Sequence, residues 1–247
     1  LPLWAEGDDT KPWERSSSGA SKRPIPGPLP AQVDVVLAQR LFIPTDGLPP
    51  ALLDRIRRLG AFANPEFLRN QAMRLPVYLT PRVIDCSLYD GDYLSLPRGC
   101  RDVLQDLLSG LGVSLAVRDE RCQGEPLDLT FHGELTGLQT RAVEDTRAHD
   151  IGVLQAPPGT GKTVMGAALV AARGRSTLVL VHRQQLVAQW RERLATFLGL
   201  AKADIGYVVA GKHKLNGRLD VAMLQSLVHG DSVDDAVATY GQVIVDE

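Results

Sequence analysis

Apolar and polar positions change rhythm twice along this chain. Beyond residue 131, short apolar runs alternate with amphipathic ones. Residues 151–156, 177–181, 205–209, 220–225 and 242–246 read as strands, and 163–172 and 184–198 as helices. Thr177-Leu178-Val179-Leu180-Val181 and Val243-Ile244-Val245 are unbroken apolar runs, the mark of strands covered on both faces of a parallel sheet. The second helix carries Leu186, Val187, Trp190, Leu194, Phe197 and Leu198 on one stripe. This order predicts an α/β domain over 131–247. Ligands on such sheets bind beyond the carboxyl ends of the strands, where three separate stretches converge.

Residues 40–130 follow a different pattern, that of a small α+β module. Leu52, Leu53, Ile56 and Leu59 share a face of a helix over 50–62. Asn64 with Pro65 opens a second helix towards Met73. Residues 82–86 and 93–96 read as short strands. A helix over 99–111 turns Val103, Leu107, Leu108 and Leu111 inward. Strands 114–120 and 127–131, joined through Cys122-Gln123-Gly124, read as a hairpin. Residues 1–39 hold no period. Six prolines fall in the first thirty residues around Ser16-Ser17-Ser18-Gly19, and this reads as a Pro-rich linker joined to something upstream. Trp4 and Trp13 are unusually apolar for a linker and are assigned local packing.

Composition narrows this picture only a little. Hydrophobic content of 44% and charged content of 23% are those of an ordinary globular chain. No apolar run is long enough for a transmembrane helix, and the start shows no secretory pattern. Cys86, Cys100 and Cys122 fit neither a disulfide framework nor a zinc pattern, and are expected as buried or half-buried thiols in a reducing cytoplasm. A net charge of −2 rules out a uniformly basic nucleic-acid binder but leaves a local basic stripe open. Arg69, Arg74, Arg82, Arg98 and Arg101 could line such a face. The alternative is a solvated surface with scattered ion pairs.

Candidate chemistry centres on Ala156-Pro157-Pro158-Gly159-Thr160-Gly161-Lys162-Thr163, a phosphate-binding loop between a predicted strand and a predicted helix. Pro158, Gly159, Thr160, Gly161, Lys162 and Thr163 are the candidate nucleotide ligands. Loop amides and a helix N-terminus suit phosphate oxygens. The Lys162 ammonium suits the β- and γ-phosphates, and the Thr163 hydroxyl suits Mg²⁺. The glycines let the backbone approach the ligand. Asp246-Glu247 follows an apolar strand. Asp246 could hold Mg²⁺ through water, while Glu247 could orient and deprotonate an attacking water.

These motifs resemble the first motor domain of a superfamily 2 helicase, over residues 133–247. Ala156 to Thr163 is similar to motif I, where a leading Ala is usual, and Asp246-Glu247 to the start of motif II, cut before its His. Leu135-Thr136-Gly137-Leu138-Gln139 resembles the adenine-reading element, with Gln139 as reader; the alternative is a solvent-facing helix Gln. Residues 177–183 resemble motif Ia, which would set His182 and Arg183 against nucleic acid. For His182 a capping or packing role is the alternative. Residues 220–227 resemble a strand-and-turn motif with Thr-x-Gln-Ser/Thr-Leu. Here Met223 replaces the Thr and leaves that position without a hydroxyl, while Gln225 and Ser226 stay candidates. Gly211-Lys212-His213-Lys214 reads equally as a phosphate contact or plain surface.

Within that superfamily the likeness is to the xeroderma-type repair helicases and restriction-enzyme motor subunits. Ala63-Asn64-Pro65-Glu66-Phe67, Met73-Arg74-Leu75 and Leu96-Pro97-Arg98-Gly99-Cys100, with Leu178 to Arg183, extend it to the helicase portion of bacterial TOTE conflict-system proteins. The resemblance implies a truncated RecA-like P-loop domain with a parallel sheet over 131–247, behind an accessory, DNA-engaging module over 40–130. It implies a primase-like domain upstream and a second RecA-like domain in cis downstream. It implies ATP and Mg²⁺ as cofactors, DNA as partner, a cytoplasmic location and no membrane. The activity implied is that of an ATP-dependent DNA helicase or translocase, weak or silent in this stretch alone because arginine fingers come from the second domain. Two other readings stay open: a nucleotide-gated DNA-binding module or restriction-type translocase without strand separation, and a P-loop kinase.

Overall fold

The computed structural model describes residues 25–229 and 232–246. Trp4, Trp13, the Ser-rich leader and Glu247 lie outside them. Two compact units divide between Glu120 and Arg121.

In the first unit, strands β1 (Gln32–Leu37), β2 (Leu41–Pro44), β5 (Leu88–Asp90), β6 (Tyr93–Leu96) and β7 (Ser114–Asp119) form one sheet in the order β5-β6-β2-β1-β7. Helix α1 (Pro50–Leu59) buries Leu52 and Ile56 one turn apart, and α3 (Arg101–Ser109) buries Leu104 and Leu108 likewise. These side chains meet Val33, Val35, Leu41, Ile43, Leu94 and Leu96 in one core. Between β3 (Ala61–Ala63) and β4 (Val83–Asp85), which pair antiparallel, α2 (Pro65–Ala72) starts at an Asn64 N-cap. Its side chain accepts from the Glu66 N–H at 3.0 Å. No residue of α2 is buried.

Several sequence expectations fail here. Residues 32–37 are not linker: β1 pairs in parallel with β7, and Val33, Val35 and Leu37 alternate into the core. The hairpin over 114–131 does not form, because β7 pairs with β1 instead. The backbone of 125–127 turns to residues 174–176, with Ser176 N–H donating to Glu125 O at 2.7 Å and Leu127 N–H to Gly174 O at 2.8 Å. Val103 is 52% exposed, since the buried stripe of α3 is centred on Leu104 and Leu108 and Val103 falls beyond its edge. Cys86 and Cys100 are half-buried free thiols, but Cys122 is exposed.

In the second unit, β8 (Thr177–Val181), β9 (Gly206–Val209), β10 (Lys212–Lys214), β11 (Leu219–Met223) and β14 (Gln242–Asp246) form a sheet in the order β10-β9-β11-β8-β14. All neighbours are parallel except β10 with β9. A two-stranded ribbon, β12 (Val228–His229) with β13 (Ser232–Val233), lies between β11 and β14 in the chain. Helices α5 (Lys162–Arg173) and α6 (Gln184–Leu198) cover one face, packing Ala167, Val170, Val187, Trp190, Leu194 and Leu198 on Val179, Val181 and Val221. The opposite face sets Leu178, Leu180 and Ala222 against Leu227 and Tyr240. Helix α4 (Gly137–Arg147) lays Val143 against Met165, Ala168 and Leu169 of α5.

Residues 151–156 are not a strand here. A strand needs a ladder partner, none forms among the described residues, and Val153 is 94% exposed. β14 pairs only with β8 among the described residues. It is covered on one face, leaving Val243 46% and Val245 68% exposed, unlike the wholly buried β8. Among the described residues no helix is long and apolar enough to cross a membrane.

Candidate active site

The site is built at one end of the second sheet. Register aligns Met223 and Asp246 with Val181, so the carboxyl ends of β11, β8 and β14 form one rim. Three stretches of chain leave the sheet there. His182 and Arg183 follow β8, Gln225 and Ser226 follow β11, and Asp246 ends β14.

The phosphate loop leads into α5. Gly159 and Gly161 hold φ of +84° and +86°, in the left-handed region that side chains disfavour. Gly161 is the N-cap of α5, and no side chain caps the helix. No side chain among the described residues competes for this helix start, which suits an anion. The Thr160 hydroxyl donates to Pro157 O at 2.8 Å and folds the loop on itself. A cavity of about 530 Å³ opens here, lined by Pro158, Gly159, Gly161, Lys162, Thr163, Val164, Leu186, Gln189, Arg193 and Asp246. That is the size of a small-molecule site. It brings together an ammonium, a guanidinium, a hydroxyl, a carboxylate and an open helix start. Such a donor set fits a polyphosphate with a hard divalent cation. Among the described residues no three His, Cys, Asp or Glu side chains cluster as a ready metal cage, so a cation here would draw its ligands from Thr163, Asp246 and the phosphates.

Asp246 reaches this cavity because of strand periodicity. Gln242, Ile244 and Asp246 share one face of β14, and Ile244 packs in the core beneath α5 and α6. Asp246 Oδ2 accepts a hydrogen bond from the Trp190 indole Nε1 at 2.7 Å. The stripe of α6 marked Trp190 only as core, and no spacing rule names its acceptor.

Gln139 sits at the third position of α4. Its Oε1 accepts from Thr136 N–H at 2.9 Å, and Thr136 Oγ1 accepts from Gln139 N–H at 3.4 Å, a reciprocal cap. The pattern Thr-x-x-Gln was available in the sequence as the signal for this cap. Gln139 Nε2 donates to Thr160 O at 2.8 Å, tying α4 to the phosphate loop. Gln139 is therefore not the plain solvent-facing helix residue of the alternative reading. Each end of its carboxamide still keeps one hydrogen-bonding position. Gly161 allows this approach, since a Cβ there would lie 2.6 Å from Gln139 Nε2.

Beside the cavity, Gln225 Nε2 donates to His182 O at 3.4 Å, while His182 Nδ1 is buried without a hydrogen-bond partner among the described residues. Arg183 and Gln225 are exposed and Ser226 is half-buried. These four share the rim with the cavity but do not line it. In β10 the basic run stands at the sheet edge, with His213 Nε2 3.0 Å from Asp234 Oδ2 and Lys212 and Lys214 exposed.

Away from the rim, Asp220 is wholly buried. Its oxygens accept from Asn216 N–H at 2.9 Å, Gly217 N–H at 2.8 Å and the Tyr240 hydroxyl at 2.6 Å. Burial and the neighbouring Asp220 push the Tyr240 phenol well above its usual range. This network fixes the 214–217 turn and is structural.

Residues 132–247 match the family described as Type III restriction enzyme, res subunit. The res-subunit match thus takes in α4 through β14 and every residue of the site. Rad25 of Halobacterium salinarum, whose name describes a candidate DNA 3'-5' helicase, is 38% identical over 101 residues, 40% of this chain and 17% of that protein. The DNA 3'-5' helicase XPB of Mycobacterium tuberculosis is 28% identical over 217 residues, 83% of this chain and 37% of that protein. The chain therefore spans well under half the length of these relatives. Bacteriophage T4 UvsW superposes with a TM-score of 0.60 at 15% identity, over 87% of this chain and 47% of UvsW, a likeness of fold.

Proposed function

We propose that residues 121–247 form the nucleotide-binding part of an ATP-driven DNA motor of the superfamily 2 helicase type. The observation that carries this reading is the shared cavity. Lys162, Thr163 and Asp246 line one space at the carboxyl rim of a parallel sheet, within the stretch that matches the res-subunit family. In this reading the open start of α5 and Lys162 hold the β- and γ-phosphates. Thr163 and Asp246 hold Mg²⁺, which when bound neutralises charge on the phosphates. Gln139 reads adenine with its remaining donor and acceptor, and Glu247 orients the attacking water. DNA lies across the rim at His182, Arg183, Gln225 and Ser226, mainly through its phosphates, and is bound without strong sequence preference. The 3'-5' sense printed in the relatives' names is the direction proposed for movement.

The residues of the first unit add no chemistry that assigns them a part; the accessory, DNA-engaging role remains a proposal from resemblance. A second reading draws on the restriction-subunit match: a motor that moves on duplex DNA without separating strands. Both are tested on the full-length protein with labelled duplexes. Strand displacement that depends on ATP and is lost in Lys162→Ala and Glu247→Gln supports the helicase. Displacement of a bound triplex strand without duplex opening supports the translocase. DNA-independent turnover, or phosphate transfer to a small acceptor, refutes both.

A further inference from the structure

The Trp190 indole does more than fill the space between α6 and the sheet. Its ring is buried, and its Nε1–H points at Asp246 Oδ2 at 2.7 Å, at the short end for an N–H donor on a carboxylate. A buried indole N–H needs some acceptor, and the one used here is, among the described residues, the only carboxylate lining the cavity. Asp246 Oδ1 makes no hydrogen bond among the described residues. The ring is also held from behind. A Cβ at residue 166 would lie 2.5 Å from Trp190 Cη2, so the benzo edge fits only because Gly166 has no side chain. Gly166 is one turn beyond Lys162 and Thr163 on α5. One rigid plate thus spans the helix that begins with the phosphate-binding residues and the carboxylate opposite them.

We propose that Trp190 is a positioning residue for the cation site. Its N–H fixes the Asp246 carboxylate with Oδ1 towards the cavity, and its packing on Gly166 keeps that carboxylate in register with Thr163. Cation affinity at this site is then set partly by a residue that never touches the cation. This rests on the nucleotide-site reading above. A plain core tryptophan would affect folding but not the concentration of Mg²⁺ that the site requires.

The test measures binding on the whole chain. Methylanthraniloyl-ADP is titrated at a series of Mg²⁺ concentrations, and separately without Mg²⁺. Trp190→Phe removes the N–H. Because it also shortens the ring, 3-benzothienylalanine is placed at the same position as a shape-keeping control, with sulfur in place of N–H. Both changes are expected to raise the Mg²⁺ concentration for half-maximal binding by about tenfold, the usual scale for losing a group that orients a metal ligand. Affinity without Mg²⁺ should stay as in the wild type. An unchanged or lowered Mg²⁺ requirement with the benzothienyl side chain overturns the proposal. So does an equal loss of affinity with and without Mg²⁺, which would mark a packing role. Wild-type binding that Lys162→Ala and Asp246→Asn leave intact, or no binding at all, overturns the nucleotide reading itself and this proposal with it.

Discussion

Gly166→Ala sets two effects of opposite sign against each other. Inside a helix, alanine is favoured over glycine by about 1 kcal/mol. At residue 166, however, the new methyl would lie 2.5 Å from Trp190 Cη2, closer than carbon atoms approach, and a tight 3.1 Å from Cζ3. The ring cannot swing away freely, because Trp190 is only 2% exposed and its N–H is bonded to Asp246. Overpacking of this kind costs about 1–3 kcal/mol. If the ring shifts to make room, the bond to the carboxylate goes too, a further cost of about 1.5–3 kcal/mol. With the ring displaced, the two costs together are about 2.5–6 kcal/mol, so the clash wins and the expected net loss is about 1.5–5 kcal/mol once the propensity gain of about 1 kcal/mol is subtracted. Urea unfolding followed by circular dichroism checks it, with Trp190 emission as a second probe in a Trp4→Phe, Trp13→Phe background. The midpoint should fall without a change of slope. Adding Trp190→Leu removes the obstacle, so the double variant should lose at least about 1 kcal/mol less than the two single losses summed. A Gly166→Ala protein as stable as wild type or more so, or simple additivity in the double variant, would refute the reasoning.

Gly206→Ala should be among the worst tolerated glycine substitutions. The methyl would meet Asp220 Oδ1 at 1.7 Å and the Lys214 carbonyl at 2.6 Å, so a loss above about 3 kcal/mol is expected in the same urea assay. The raised Tyr240 phenol gives a signed pH dependence. Below about pH 10 both the folded and the unfolded chain keep the proton, so the contribution is intact; above it only the unfolded chain releases one, and stability falls as pH rises. Urea midpoints between about pH 9 and 11 should drop more steeply for wild type than for Tyr240→Phe. Gln139→Ala removes both the cap of α4 and the bond to Thr160 O. It is expected to weaken ATP binding and narrow the preference for ATP over GTP, and an unchanged ATP-to-GTP affinity ratio would count against Gln139 as reader. For the rim, Arg183→Ala should lower the slope of log affinity for DNA against log salt by about 1, with little effect on sequence preference.

Much of the second unit was readable because its signals are local. The helices over 163–172 and 184–198 and the strand over 177–181 depend on periodicity that a single stretch contains, and α5, β8 and α6 stand where that pattern put them. Strands that fail or appear unannounced share another cause. An apolar run reports a preference for burial, but a strand exists only where a second backbone answers its N–H and C=O groups. Residues 151–156 carry the run without the partner. Residues 32–37 sit among prolines that suggest a linker, yet β7 answers all six of them in parallel. The hairpin over 114–131 was inferred from a turn signal, Cys122-Gln123-Gly124, when the partner of β7 lies far earlier in the chain. Parallel pairing leaves no turn between its strands for a sequence to announce.

The site divides along the same line. Lys162, Thr163 and Asp246 follow from chemistry written in short motifs, and strand alternation alone turns Asp246 to the helix-covered face with Ile244. What periodicity could not supply is the direction of a single polar atom. The stripe of α6 put Trp190 inside; it did not say that its one N–H would meet Asp246 rather than a backbone carbonyl. Nor did the helix pattern of α5 explain why residue 166 is glycine in the middle of a helix, where glycine is disfavoured by about 1 kcal/mol relative to alanine. That local misfit was the available clue. A glycine held inside a helix against its propensity marks a close approach, and here the approaching group is the ring that positions the carboxylate. Trp190, Gly166 and Asp246 lie on three different elements, so their relation belongs to the tertiary fold and is answerable only there.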